Sequence, residues 1–270
     1  MKVHAFIRSR ERMAKLQDMF TQARRAQSGG SIGFLGKSKA ETKPSAAALV
    51  VRFTQVIPGA SEAALKEGAH GLLFTWNGWD PTSLDMIKKE IDSAKTINEA
   101  LVSGLSITNG WGNLDRESLI QLKEQGIQYI VLPLDAPARL IALESKDIEL
   151  VVTVPMRPGD MYPLVIRNLT AFEAIAGVIL DFGLTHDIGS MTIEDILQYR
   201  AVREAVRFPA LLNIPADLTE ADTYALLTLA VQAFVLTVSD IDNATRQQIK
   251  ALRELLEKVH QEEKEVSVRK

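Results

Sequence analysis

The chain of 270 residues contains no cysteine and no long apolar run. Disulfide bonds, thiolate nucleophiles and cysteine-ligated zinc sites are therefore excluded, and a reducing cytoplasm is the compartment that we expect. The most apolar stretch, residues 225–238, is interrupted by polar side chains and is shorter than the ~18 residues that a membrane span needs. No apolar segment typical of a signal peptide follows the N-terminus. These absences predict a cytoplasmic globular protein.

Positive charge exceeds negative charge only at the N-terminus. The formal net charge of the chain is −3, but residues 1–43 carry ten Lys or Arg against three Asp or Glu, which leaves −10 on the remainder. Such a basic arm either binds an anionic partner or docks on the acidic body of its own chain. The charges alone favour neither interpretation.

From residue 46 onward the chain alternates short apolar runs with amphipathic runs, eight times. The apolar runs are rich in Val, Ile and Leu with little polar alternation, which is typical of parallel strands covered on both faces. Eight β–α repeats favour a closed barrel. We predict an N-terminal extension over residues 1–45 and a (β/α)8 TIM barrel over residues 46–270, with a doubly wound sheet as the alternative. The predicted strands are 48–53, 71–76, 102–108, 129–134, 150–155, 177–182, 210–214 and 234–239, and the predicted helices are 61–69, 81–94, 116–125, 137–143, 161–174, 192–207, 220–230 and 244–260.

Capping residues mark the predicted helix boundaries. Asp80 stands before a proline, as expected at the start of a helix. Thr192 and Thr219 each precede an aspartate by three residues, which resembles a capping box. Gly126 and Gly177 stand where helices give way to strands, and we interpret both as left-handed helix ends.

The N-terminal extension contains one narrow apolar stripe on an otherwise basic segment, with positions spaced i, i+3, i+7 and i+10 as on a helix. These positions are Met13, Leu16, Phe20 and Ala23. Three interpretations are open: a helix that plugs the bottom of the barrel, a subunit-interface helix, or an arm that binds a membrane or a nucleic acid. We favour packing on its own barrel or on a neighbour's.

Two matching Asn-Gly-Trp triplets follow the second and third predicted strands. The carboxyl ends of barrel strands form the face that carries active sites, so both triplets fall on that face. We interpret their asparagines as hydrogen-bonding groups and their indoles, side by side, as an aromatic wall for a ligand. The alternative is that they form tight turns. The residues concerned are Asn77, Trp79, Asn109 and Trp111.

Titratable side chains follow the later strands. Asp181 and His186, near the end of the sixth strand, are candidates for a general acid–base pair or part of a metal site, and otherwise form an ordinary loop. Arg157, after the fifth strand, is a candidate clamp for a carboxylate or phosphate, or else a solvated arginine. Asp135 and Asn213 complete the predicted ligand-binding set. No complete set of metal ligands is predicted.

Two residue types are missing from all the predicted strand ends, and a third is missing after strands 7 and 8. No lysine is present for Schiff-base chemistry, and no glutamate for the common glycosidase pair. The loops after strands 7 and 8 contain no glycine, which argues against a backbone phosphate site of the usual kind. The sequence therefore identifies no cofactor and disfavours flavin mononucleotide and sugar phosphates.

Two segments resemble known barrel families. The opening segment, residues 44–74, is similar to flavin-dependent nitronate-oxidising barrels, and the tail, residues 181–240, resembles metal-dependent pyruvate aldolases of the citrate lyase β type. The matching motifs are Ser61-Glu62-Ala63-Ala64 with Gly68-Ala69-His70-Gly71, and Asp181-Phe182-Gly183 with Asp187-Ile188, Met191 and Val238-Ser239-Asp240. The flavin family's glycines in the strand 7 and 8 loops are missing, and Val154-Pro155-Met156 stands where the aldolases have a glutamate. Both resemblances imply a barrel, and fold alone does not transfer function.

The sequence thus predicts a small-molecule-binding barrel that forms homo-oligomers. The leading hypothesis is a lyase- or isomerase-like enzyme acting on a small polar or carboxylate ligand at the carboxyl face. The alternative is a non-catalytic barrel that serves as a scaffold or assembly subunit through its N-terminal helix and the surface formed by Trp79 and Trp111. A third hypothesis, a membrane or nucleic-acid binder, rests only on residues 1–43.

Overall fold

The structure, a computed structural model, describes residues 16–25, 43–143, 148–159, 161–184 and 188–268. Eight parallel strands close into a barrel in which every strand pairs with its sequence neighbours and β8 pairs with β1. This closure confirms the TIM barrel prediction and excludes the doubly wound sheet. The strands are β1 (Ala48–Phe53), β2 (Gly71–Trp76), β3 (Val102–Ile107), β4 (Tyr129–Pro133), β5 (Glu149–Pro155), β6 (Ile175–Asp181), β7 (Ala210–Ile214) and β8 (Ala233–Val238).

Helices surround the barrel, and one more precedes it. They are α1 (Leu16–Arg24), α2 (Ala60–Lys66), α3 (Pro81–Lys95), α4 (Arg116–Glu124), α5 (Tyr162–Ile166), α6 (Ile193–Val206), α7 (Glu220–Leu227) and α8 (Asn243–Val268). The α-helix predicted over 137–143 is wrong: Ala138–Ala142 forms a 3-10 helix, because so short a segment with one buried side chain suits the tighter form. The helix predicted over 161–174 is divided into α5 and a 3-10 helix, Arg167–Ala171. None of the described helices is both long enough and apolar enough to cross a membrane.

Most of the predicted caps are confirmed. The Asp80 carboxylate accepts a hydrogen bond from the Thr82 amide at the start of α3. Reciprocal capping boxes begin α6 at Thr192 and α7 at Thr219. Gly126 has a left-handed backbone (φ 91°) at the end of α4.

The strands present alternate side chains to two separate cores. One face packs against the surrounding helices, and includes Val51 and Phe53 of β1. The other face points into the barrel, and includes Ala48 and Val50 of the same strand. Side chains alternate along a strand, so every second residue from one that lies in the interior core also points into the barrel.

Helix α1 plugs the bottom of the barrel, at the amino ends of the strands. Four of its side chains are buried and belong to the interior core: Leu16, Met19, Phe20 and Ala23. The Leu16 amide donates to the Glu149 carboxylate of β5 at 2.9 Å, which satisfies one of the unpaired donors at the start of the helix. At the other end, the Ala23 carbonyl accepts from the Ser45 amide and hydroxyl. The prediction that α1 packs on its own barrel is therefore confirmed for 16–25, while Met13 lies outside the described residues.

Glycines make room for this plug. A Cβ on Gly71 would overlap the sulfur of Met19, and one on Gly177 would lie 3.2 Å from the Pro209 carbonyl. The interpretation of Gly177 as a left-handed helix end is wrong, since it lies inside β6, facing α1. The absence of its side chain serves packing rather than backbone freedom.

Candidate functional site

Polar side chains ring the carboxyl mouth of the barrel, above its apolar interior. Strand register assigns them to the inward face: Arg52 pairs with Thr237, Thr75 pairs with Ser106, and Asp181 lies two residues beyond the interior Ile179. The ring comprises Arg52, Thr75, Ser106, Thr153, Asp181, Asn213 and Thr237, with Pro133 at the β4 position. All are at least partly accessible, whereas most of the neighbouring residues, whose side chains point toward the helices, are buried.

Arg52 is the central feature of this ring. It lies one step above Val50 on the interior face of β1, and its register partner Leu73 also belongs to the interior core. Burial lowers the pKa of the Arg52 guanidinium, and nearby Tyr129 and Asp181 oppose this shift. The Nε atom is buried without a hydrogen-bond partner among the described residues. An arginine stays protonated in such a place, so the mouth holds an incompletely paired positive charge.

Two further polar atoms beside Arg52 are buried and unpaired within the described part of the chain. They are the Tyr129 hydroxyl and the Asn213 Oδ1. Burial raises the pKa of the Tyr129 phenol, which therefore stays protonated and able to donate. Its ring occupies the space that Gly104 leaves, since a Cβ there would overlap it. Buried polar groups are normally satisfied, so these three unpaired groups make the mouth the candidate site.

Asp181 ends β6 with its side chain on the inward face. Its backbone carbonyl accepts from the Met156 amide, which ties the ends of β5 and β6 together. The mouth thus brings Asp181, Asn213 and Arg52 together. His186, its predicted catalytic partner, lies outside the described residues.

The two Asn-Gly-Trp loops pack directly on each other. Gly78 and Gly110 both have left-handed backbones, with φ of 78° and 70°, and a Cβ on either would overlap the other loop's backbone. The Asn77 side chain accepts from the amides of Trp79 and Asp80 in its own loop, and Asn109 accepts from the Gly110 amide. Both asparagine oxygens therefore stabilise turns, which leaves the two amide nitrogens and one lone pair of the Asn109 oxygen for a ligand.

The two indoles occupy different surroundings. Trp79 is 60% exposed, whereas Trp111 is half-buried and donates from Nε1 to the Ile107 carbonyl at 3.2 Å. The third indole, Trp76, is half-buried too and donates to the Asp80 carbonyl at 2.9 Å. Trp79 is therefore the ring that is left available for contact at this rim.

Arg157 and Asp135 lie on the outer rim, and both are exposed. The Arg157 guanidinium lies 5.9 Å from the centre of the Tyr162 ring, a cation–π distance. The Tyr162 hydroxyl in turn donates to the Pro155 carbonyl at 2.6 Å, so α5 is fixed to the end of β5. Arg157 is placed where it can meet a ligand that protrudes from the mouth.

Arg52 is the functional residue that sequence reasoning missed. Its signal in the sequence is one arginine inside the otherwise apolar strand Ala48–Phe53. Among the described residues, no group of three or more His, Asp or Glu side chains is arranged to hold a metal ion. The described residues of the mouth can bind an anion through a guanidinium, form hydrogen bonds through hydroxyl and amide groups, and transfer a proton through the Asp181 carboxylate.

The chain matches no protein-family model, and no curated protein has a similar sequence. Solved structures are similar in fold. Phosphoribosyl anthranilate isomerase from Thermus thermophilus gives a TM-score of 0.55 at 12% identity, covering 78% of this chain and 99% of that one. The tryptophan synthase α-subunit from Pyrococcus furiosus gives 0.54 at 12%, covering 80% and 98%. Homocysteine methyltransferase from Escherichia coli gives 0.54 at 11%, covering 77% and 95%. At these identities the likeness shows the barrel fold.

Proposed function

We propose that the protein binds a small carboxylate at the barrel mouth, with Arg52 as the anion anchor. The observation that supports this most is the buried guanidinium whose Nε lacks a partner among the described residues. A planar guanidinium matches the two oxygens of a carboxylate, and a bound anion would offset the cost of burying the charge. The Asn213 oxygen and the Tyr129 hydroxyl would then bond to a hydroxyl or carbonyl group of the same ligand.

The reaction that this arrangement fits is proton transfer next to a carboxyl or carbonyl group, as in lyases and isomerases. Asp181 is the candidate base, because it is the ring's carboxylate and reaches the same space as Arg52. Negative charge that develops on the ligand as the proton leaves would be stabilised by the guanidinium. Arg157 would contact the distal end of a longer ligand.

The test is isothermal titration calorimetry of the protein with pyruvate, lactate, malate and 2-oxoglutarate. We expect one of these probes to bind. Arg52→Met should weaken its affinity tenfold to a hundredfold, because hydrogen bonds to a charged group contribute about 1.5–3 kcal/mol. Asp181→Asn should retain binding within a few-fold and lose exchange of the ligand's carbon-bound protons with deuterated water. Wild-type protein that binds none of the four would contradict the proposal.

Stability measurements on Arg52→Met separate a ligand anchor from a structural residue. Replacing an incompletely paired buried charge by an apolar side chain of similar length is often neutral or stabilising. We therefore expect the urea midpoint of Arg52→Met to equal or exceed that of the wild type. A clear loss of stability would mean that Arg52 serves folding rather than binding.

An exposed apolar face on α5 and α6 favours a second role, as a subunit of a homo-oligomer. Five large apolar side chains there are each more than half exposed: Met161, Leu164, Val165, Ile193 and Leu197. Patches of this kind are rare on monomers and typical of interfaces. By contrast, the apolar face of α1 is used inside its own barrel, so that helix does not support the scaffold hypothesis.

We expect the wild type to elute as an oligomer and Ile193→Asp with Leu197→Asp to elute as a monomer, measured by size-exclusion chromatography with light scattering. The control is Ile120→Asp on α4, which is 52% exposed and lies outside the patch. A monomeric wild type, or equal dissociation of the control, would contradict this role.

A further inference from the structure

A second cleft lies at the opposite end of the barrel from the mouth, between α1 and the amino ends of β7 and β8. Its volume is about 470 Å³. The lining includes four arginines, two from the end of α1 and two from the end of α6: Arg24, Arg25, Arg203 and Arg207. None of the described residues that line it is acidic. This basic cleft lies on a barrel whose residues beyond 43 carry a net charge of −10.

One of these arginines has a structural role. Arg203 donates from Nε and Nη2 to the Ala230 carbonyl, at 3.2 and 3.0 Å, just beyond the end of α7. Its neighbour on α6, Arg200, likewise donates to the Thr228 carbonyl and pairs with Glu204. Arginines commonly satisfy helix-end carbonyls in this way. Helix termination therefore accounts for Arg200 and Arg203.

The other three guanidinium groups also lie at the C-terminal ends of α1 and α6, where the helix dipole favours a cation, but they bond to no helix-end carbonyl among the described residues. Arg24, Arg25 and Arg207 make no side-chain hydrogen bond or ion pair to any described residue, although they share one concave surface. Arg207 also has a left-handed backbone, with φ of 56°, at a helix end where glycine is the usual residue. The three side chains are exposed, so water partly screens their mutual repulsion, and a bound anion would remove what is left of it.

We propose that this basic cleft binds a small anion with several phosphate groups, either a free polyphosphate or the phosphate chain of a nucleotide. One guanidinium group can donate two parallel hydrogen bonds to the oxygens of a phosphate. Three or four guanidinium groups match the charge of a polyphosphate. The concave shape selects a compact ligand over an extended nucleic-acid backbone. Gln17 and Thr21 in the same lining supply further hydrogen-bonding groups, whereas the side chain of Gln232 already bonds to Ala210 and Ala230.

The test is isothermal calorimetry of the full-length protein with sodium tripolyphosphate, at 50 and 200 mM salt. We expect one site per chain, weaker binding at the higher salt, and at least a tenfold higher Kd for Arg25→Gln with Arg207→Gln. The matched control, Arg116→Gln with Arg167→Gln, removes the same charge from exposed positions elsewhere and should keep the Kd within twofold. The cleft variant should retain the wild-type urea midpoint, because its arginines bond to no described residue.

Equal weakening in both double variants would overturn the proposal, since it would indicate diffuse attraction. Loss of binding in Arg52→Met would place the anion in the mouth instead, which keeps this test separate from that of the carboxylate site. Tighter binding of single-stranded DNA than of tripolyphosphate, lost in the cleft variant, would replace the proposal by a nucleic-acid surface. ATP that binds more tightly than tripolyphosphate, with the same loss, would support the proposal and identify a nucleotide.

Discussion

Phe20→Ala is expected to destabilise the protein by about 3–5 kcal/mol, the cost of truncating a fully buried phenylalanine. Phe20 is 3% exposed and belongs to the interior core of the barrel together with residues of the strands. Helix α1 has nine residues, which is too short to be stable in isolation. The helix is therefore ordered by the apolar contacts that it makes with the barrel. The packing of the interior core at the bottom of the barrel depends on the same contacts. Urea unfolding at pH 7 measures the change in the free energy of unfolding.

The matched control is Gln17→Ala in the same helix. Gln17 is exposed, so its truncation should change the free energy of unfolding by less than about 0.5 kcal/mol. If α1 were an arm held ready for a membrane or nucleic acid, Phe20→Ala would leave stability unchanged and lower only the affinity for that partner. An unchanged urea midpoint would thus overturn the assignment of α1 as a plug.

Much of the fold follows from sequence because a parallel strand covered on both faces has a simple signature. All eight strands lie within two residues of their predicted bounds, since each is an apolar run between polar or glycine-containing turns. The same apolar signature does not show which side chains of a strand point into the barrel. β6 is apolar on both faces, so its sequence does not show that Asp181 points inward; that follows from the register with β5 and β7.

The site was harder to predict because its residues are defined by the side of the strand on which they lie, and not by a local sequence motif. Arg52 and Thr237 share the mouth only because β1 and β8 close the barrel in one register, a pairing between the two ends of the chain. The Asn-Gly-Trp triplets, by contrast, form a clear local motif, but their asparagine oxygens bond within their own loops. For α1, the apolar stripe predicts burial, whereas its location depends on room left by Gly71 on a distant strand.

Acid is expected to destabilise the protein through one buried histidine. His70 Nδ1 accepts a hydrogen bond from the Leu49 amide at 3.0 Å, which requires the neutral ring. Burial, with a smaller contribution from the nearby Arg253 cation, lowers the pKa of His70 from 6.5 to about 4. A proton therefore binds more tightly to the unfolded chain than to the folded one. The resulting stability is complete above pH 6.5 and is lost as the pH falls from 6.5 to 4.

The size of this effect follows from the shift, because each unit of pKa corresponds to about 1.36 kcal/mol and the total is about 3 kcal/mol. His70→Asn keeps an acceptor oxygen near the Leu49 amide but does not titrate, so its stability should fall less steeply with acid. Urea unfolding at pH 7, 6, 5 and 4 measures both proteins, and their difference should change by about 3 kcal/mol across that range. His260→Asn is the control: burial lowers the pKa of His260 too, but by less than that of His70, so this variant should track the wild type more closely. Parallel curves for His70→Asn and the wild type would mean that the folded protein protonates His70 as readily as the unfolded chain does, and that the Leu49 bond does not hold its ring neutral.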